Sequence, residues 1–94
     1  MFVAACEVDL RLLDEPHSLK EKRAVVRSLK ETLRNKFEVS VAEVGTLDLW
    51  QRCVLGIACV TGDKRTAASI IQKIINAIDA RHDVEIIKSN IEIY

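Results

Sequence analysis

Glycine is scarce in this chain of 94 residues: Gly45, Gly56 and Gly62 are the only three, and each stands alone. A phosphate-cradling loop needs clustered glycines, so that backbone N–H groups can close on the phosphates. Neither a dinucleotide-binding fingerprint nor a P-loop can be built here. Aromatic residues are equally few, namely Phe2, Phe37, Trp50 and Tyr94. The three cysteines form an odd set without a CxxC spacing, which is a poor disulfide framework in so short a chain. Cys53 and Cys59 fall on one face of one expected strand, about 20 Å apart, too far to chelate a single ion together. Buried, reduced thiols are the expectation. No apolar run approaches the roughly 20 residues of a membrane span. The first residues lack the basic start of a secretory signal and carry Glu7 and Asp9 instead. A cytoplasmic protein without a membrane partner is expected, and no motif calls for a cofactor.

What is present is a strong pattern of apolar periods. Residues 2 to 12 alternate, with Phe2, Ala4, Cys6, Val8, Leu10 and Leu12 on one side and Glu7, Asp9 and Arg11 on the other, as in a strand with one core face. Pro16, the only proline, ends that run. Ser18, followed three residues later by Glu21, is a capping box that opens a helix to about Lys36. Its apolar side is Leu19, Val25, Val26, Leu29 and Leu33, with Phe37 at the exit. A second strand is expected over 37–44. A third is expected over 52–61, apolar on both faces and therefore covered on both. A second helix over 64–81 follows, with Ile70, Ile71, Ile74, Ile75 and Ile78 as its buried stripe. The last strand, 83–94, changes apolar phase between Ile86 and Ile87, which suggests a bulge near Lys88.

The order β-α-β-β-α-β is the split βαβ pattern of an α+β, ferredoxin-like fold. One domain, 1–94, is expected, with a four-stranded antiparallel sheet in the order 4-1-3-2 and both helices on one face. That leaves the other sheet face open although the third strand is apolar on both sides. An open apolar face usually marks a partner surface, and a homodimer is expected, with Trp50, Val54 and Ala58 as interface residues.

The blocks His17-Ser18-Leu19-Lys20-Glu21-Lys22-Arg23, Val39-Ser40-Val41-Ala42-Glu43-Val44, Asp48-Leu49-Trp50-Gln51-Arg52 and Leu55-Gly56 resemble the YlxP-like family of small bacterial proteins, along essentially the whole chain. The resemblance implies a ferredoxin-like fold of unknown function. Genes of that family often neighbour those of a translation initiation factor and a ribosome-binding factor, which implies a translation-linked role. No catalytic residues come with the resemblance.

Charge supplies the main functional signal. The chain is formally neutral, with 14 basic and 14 acidic residues. Yet 18–36 holds seven basic residues against Glu21 and Glu31. At 100° per residue, Lys20, Arg23, Arg27, Lys30 and Arg34 share an arc of about 80° along about 21 Å of helix. Such a row would grip RNA phosphates in a salt-sensitive, sequence-tolerant way; a solvated helix face can look the same. The first and third strands carry no outward aromatic, so base stacking on the sheet is not expected. Glu7 and Asp9 share a strand face, where Arg11 can neutralise them, and Glu43 is a candidate partner for Arg52. His17 and His82 read as loop residues, and no metal site is expected. The leading expectation is a non-enzymatic module that docks to RNA or a ribonucleoprotein through the basic row. The alternatives are a structural or regulatory homodimer with a protein partner and, behind it, a small enzyme or metabolite-binding domain using Glu7, Asp9 or Glu43.

Overall fold

The computed structural model describes all residues, 1–94. Its elements are β1 (Phe2–Leu12), α1 (Leu19–Lys36), β2 (Ser40–Gly45), β3 (Arg52–Thr61), α2 (Lys64–Asp79) and β4 (Val84–Ile93). The strands form one antiparallel sheet in the order β2-β3-β1-β4, which is the ferredoxin-like order expected from the sequence.

Alternation decides which face is buried. Ala4, Cys6, Val8, Leu10 and Leu12 of β1, with Cys53, Leu55, Ile57 and Cys59 of β3, point to the helices. Val26, Leu29 and Leu33 of α1 and Ala67, Ile71, Ile74 and Ile78 of α2 close over them in one core. Both helices start on caps written in the sequence. The Ser18 hydroxyl accepts from the Glu21 N–H, and the Glu21 carboxylate accepts from the His17 N–H. The Asp63 carboxylate accepts from the Thr66 N–H, which holds its pKa below the ordinary aspartate value.

β2 begins three residues later than the sequence pattern suggests. Phe37 is instead the C-cap of α1, giving its N–H to the Leu33 carbonyl and packing against the core. In β4 the extra residue is Ile87, since Lys88 pairs with Asp9 and Ile86 with Leu10. The phase change seen in the sequence is therefore a bulge, one residue from the expected place. A second bulge at Val44 in β2 was not signalled. The second face of β3 is not covered by another element: Val54, Gly56 and Ala58 are half-buried and Val60 is exposed. Beyond α2, the Arg81 guanidinium donates to both Asp83 carboxylate oxygens at 2.8 and 2.7 Å and reaches Thr32 and Ser28 of α1 at 3.3 Å. That residue ties the two helices at one end. No helix is long and apolar enough to cross a membrane.

Candidate nucleic-acid interface

The position of the basic row follows from how α1 sits. Val26, Leu29 and Leu33 point into the core, and at 100° per residue the row lies about a quarter turn away from them. Ser28 and Thr32, which meet Arg81, occupy the opposite flank. Arg34 donates to the Val41 carbonyl at 2.8 Å, so the row runs along the outer side of α1 above the edge strand β2. Lys20, Arg23, Arg27 and Arg34 are exposed and Lys30 is half-buried. The four ion pairs of the molecule are Arg11–Glu85, Lys22–Glu43, Arg52–Asp9 and Arg81–Asp83. None of the five row cations takes part in one. The row thus divides: Arg34 has a structural role as well, whereas Lys20, Arg23 and Arg27 are exposed cations without a carboxylate partner.

Between Lys20 and Arg23 in sequence, but on the core side of α1, lies a residue the sequence reading passed over. Lys22 is 1% exposed, the most buried charged side chain in the protein. Its ammonium donates to the carbonyls of Thr46 at 2.6 Å and Leu47 at 3.4 Å and lies 2.8 Å from Glu43 Oε2. The contact with Glu43 is a pairing of charges rather than an aligned hydrogen bond. A signal existed, because Lys22 stands four, seven and eleven residues before Val26, Leu29 and Leu33 and so shares their face. Beneath the pair, burial and then the Glu43 carboxylate push the Cys53 thiol up to about 12, against a smaller opposing effect of Lys22. Cys6, Cys53 and Cys59 are all free and buried.

Lys22 anchors the β2–β3 connection. Thr46 there has φ 57°, a left-handed conformation that a β-branched residue adopts only under constraint. The constraint is visible: its carbonyl receives both the Lys22 ammonium and the Leu49 N–H, the latter at 3.1 Å. Leu47, Leu49 and Trp50 stand exposed on this connection.

The open sheet face differs in two pairings from the expectation. Glu43 is not the partner of Arg52. Glu43 lies opposite Leu55 on the helix-covered face, whereas Arg52 lies on the open face and donates to both Asp9 carboxylate oxygens at 2.9 and 2.8 Å. Arg11 neutralises neither Glu7 nor Asp9; it pairs at 3.1 Å with Glu85, its direct neighbour in β4. Glu7 has no ion-pair partner. Beside it, Ala5, Ala42, Gly56 and Ala58 floor a depression of about 490 Å³ rimmed by Val44, Glu92 and Tyr94. Gly56 is needed for that shape, since a Cβ there would lie 2.9 Å from a Val44 methyl. Of the expected interface residues, Val54 and Ala58 lie on this face. Trp50 lies outside β3, on the connection tied to α1. No three His, Cys, Asp or Glu side chains converge as a metal site.

The comparisons with known proteins agree with the resemblance carried by the sequence blocks. A relative from Bacillus subtilis (strain 168), named uncharacterized protein YlxP, is 37% identical over 82 residues, covering 87% of this chain and 86% of its own. Among solved structures, a de novo designed protein with ferredoxin fold covers 100% of this chain and 84% of its own, at 17% identity and a TM-score of 0.45. The family model described as "Protein of unknown function (DUF503)" matches residues 3–91. The chain belongs to the DUF503 family.

Proposed function

We propose that this protein is a non-enzymatic binding module that docks to RNA or a ribonucleoprotein through the outer flank of α1. The observation that carries the reading is the row Lys20, Arg23, Arg27, Lys30 and Arg34, aligned above β2 and left without any carboxylate partner. Of the nine cations outside the row, Arg11, Lys22, Arg52 and Arg81 pair with acids and five do not, so what sets the row apart is its alignment on one helix flank. An unpaired row on one flank is free to exchange condensed counterions for phosphates. The translation-linked neighbourhood implied by the family resemblance fits such a partner. The contacts are to backbone phosphates, so binding is salt-dependent and tolerant of sequence.

The test is a salt titration of labelled structured RNA with wild type and a Lys20, Arg23, Arg27→Ala variant, which spares the Arg34–Val41 bond. Five phosphate contacts give a log–log slope of about −3.5 to −4.5, so affinity falls roughly 100- to 500-fold from 50 to 200 mM salt. The triple variant lowers the slope by about 2 to 3. Equal affinities, or a flat salt response, defeat the reading.

A second reading is a homodimer paired through the open sheet face, and the uncovered apolar side of β3 favours it. Four strands about 4.8 Å apart and some eight residues long project roughly 500 Å². Side-chain relief brings that toward the ~800 Å² per partner of a standard interface. Sedimentation at micromolar concentration decides it; a clean monomer near 10.6 kDa refutes pairing.

A further inference from the structure

The connection between β2 and β3 is unusually apolar for an exposed segment. Leu47 is 60%, Leu49 53% and Trp50 48% exposed, with Asp48 the one acidic residue among them. Large apolar side chains clustered in water mark a contact surface rather than ordinary loop chemistry. Trp50 is also the only tryptophan in the chain.

Hydrogen bonds hold this segment on both sides of Trp50. Before it, the Leu49 N–H and the Lys22 ammonium meet on the Thr46 carbonyl. After it, the Gln51 carbonyl accepts the Leu12 N–H at 2.8 Å. The tip is thereby fastened to the first turns of α1 and to the end of β1. Lys22 stands between Lys20 and Arg23 in sequence, so the fastening brings the apolar tip to the N-terminal end of the basic row. At the other end, Arg34 bonds Val41 at the start of β2. α1 and β2 run antiparallel, so the tip lies at the end of α1 where the row begins.

A basic track that ends in an exposed aromatic is the arrangement by which single-stranded nucleic acid is held. Phosphates follow the cations, and a base stacks on the ring. Duplex bases already stack on each other and offer no free face to a side chain. Resting on the proposal above that α1 docks RNA, we infer that the site is composite and selects single-stranded RNA: Lys20, Arg23 and Arg27 hold the backbone while Trp50, flanked by Leu47 and Leu49, stacks an unpaired base. The sheet face takes no part, so this mode differs from that of RNA-recognition domains, whose aromatics stand on the strands.

Because Trp50 is unique, its own emission reports the contact. A labelled, unstructured 12-nucleotide RNA of mixed sequence and its duplex are titrated against wild type, Trp50→Leu and the Lys20, Arg23, Arg27→Ala variant, following anisotropy and tryptophan fluorescence. Wild type is expected to bind the single strand with quenching of Trp50. Trp50→Leu is expected to weaken single-strand binding by about 5- to 150-fold, the range for one stacked base, with an unchanged salt slope and unchanged duplex binding. Saturable, salt-dependent binding without any change in emission, together with wild-type affinity in Trp50→Leu, overturns the composite site and leaves the α1 reading standing. Loss on removing Trp50 but not on removing the three cations overturns both. The same holds for an absence of RNA binding by wild type at 50 mM salt. The wild-type quench needs no substitution, so a poorly folded variant does not remove the test.

Discussion

Lys22→Met is the substitution whose cost is best defined by the structure. Methionine keeps the aliphatic length, so little cavity opens and packing is roughly preserved. What disappears is the ammonium that faces Glu43 Oε2 at 2.8 Å and the Thr46 carbonyl at 2.6 Å. Removing one member of a buried pair costs about 3–5 kcal/mol, because the remaining charge stays out of water. The Glu43 side chain keeps 14% exposure and Leu47 is open to solvent, so water can reach part of the broken network. The expected cost is therefore at the lower end, about 3 kcal/mol. A domain of this size has roughly 9 kcal/mol in all, and the melting midpoint should fall by about 12–24 °C. Lys22→Met with Glu43→Leu removes both charges and should recover about 2 kcal/mol of the loss. Urea denaturation of the wild type, both single variants and the double variant measures this coupling. Trp50 emission in the folded Lys22→Met variant should shift to the red as the tip loosens. A cost below about 1 kcal/mol in Lys22→Met, or additive single effects, would refute the assignment of Lys22 as the anchor of the connection.

Three further outcomes are expected. Hydrogen bonds from Arg81 hold the Asp83 carboxyl below the ordinary aspartate value, so the pair's stabilisation is present above about pH 4 and is lost as pH falls through the lowered value. Asp83→Asn should accordingly cost roughly 1–2 kcal/mol at pH 7 and progressively less below pH 4 by urea midpoints; a cost independent of pH contradicts this. With Cys53 buried and pushed up to about 12, iodoacetamide at pH 8 should modify it only as fast as the protein unfolds, and alkylation at the rate of a free thiol in native buffer would count against the burial argument. Ala58→Lys places a charge on the open sheet face and should convert a sheet-paired dimer to monomer in sedimentation velocity, with secondary structure by circular dichroism unchanged.

The parts of the fold legible in the sequence are those set by local rules. Alternation in β1, the capping box at Ser18 and the two apolar faces of β3 each follow from period and residue chemistry, and together they leave one strand order. The phase change at Ile86 and Ile87 exposed a bulge because both residues are apolar. The bulge at Val44 left no such mark, since Ala42, Val44 and Gly45 suit either face. The pairing of charges was misread for a related reason. Glu43 and Arg52 are near in sequence across the connection, but the Val44 bulge and the pleat put them on opposite sides of the sheet. The basic row was legible as an arc on a helix wheel. Its division into free cations and the strand-bonded Arg34 required the neighbouring strand, and the role of Lys22 required the shape of the connection beneath it.

The two bulges share a location that bears on how copies of this chain can meet. The central pair β1–β3 keeps one unbroken register from Phe2↔Thr61 to Arg11↔Arg52, while each outer strand carries one interruption, Val44 in β2 and Ile87 in β4. A sheet rim presents unpaired N–H and C=O groups on which further strands can add without limit, and a bulge breaks the spacing such growth needs. On the β2 rim, Arg34 also occupies the outward Val41 carbonyl. Both rims are thus poor templates for fibrillar stacking, and concentrated solutions should resist β-aggregation despite isoleucines standing in the open on β4. If copies of this chain pair, as the second reading above proposes, the flat of the sheet rather than a rim is the surface open to them, and a two-fold contact there closes after two copies.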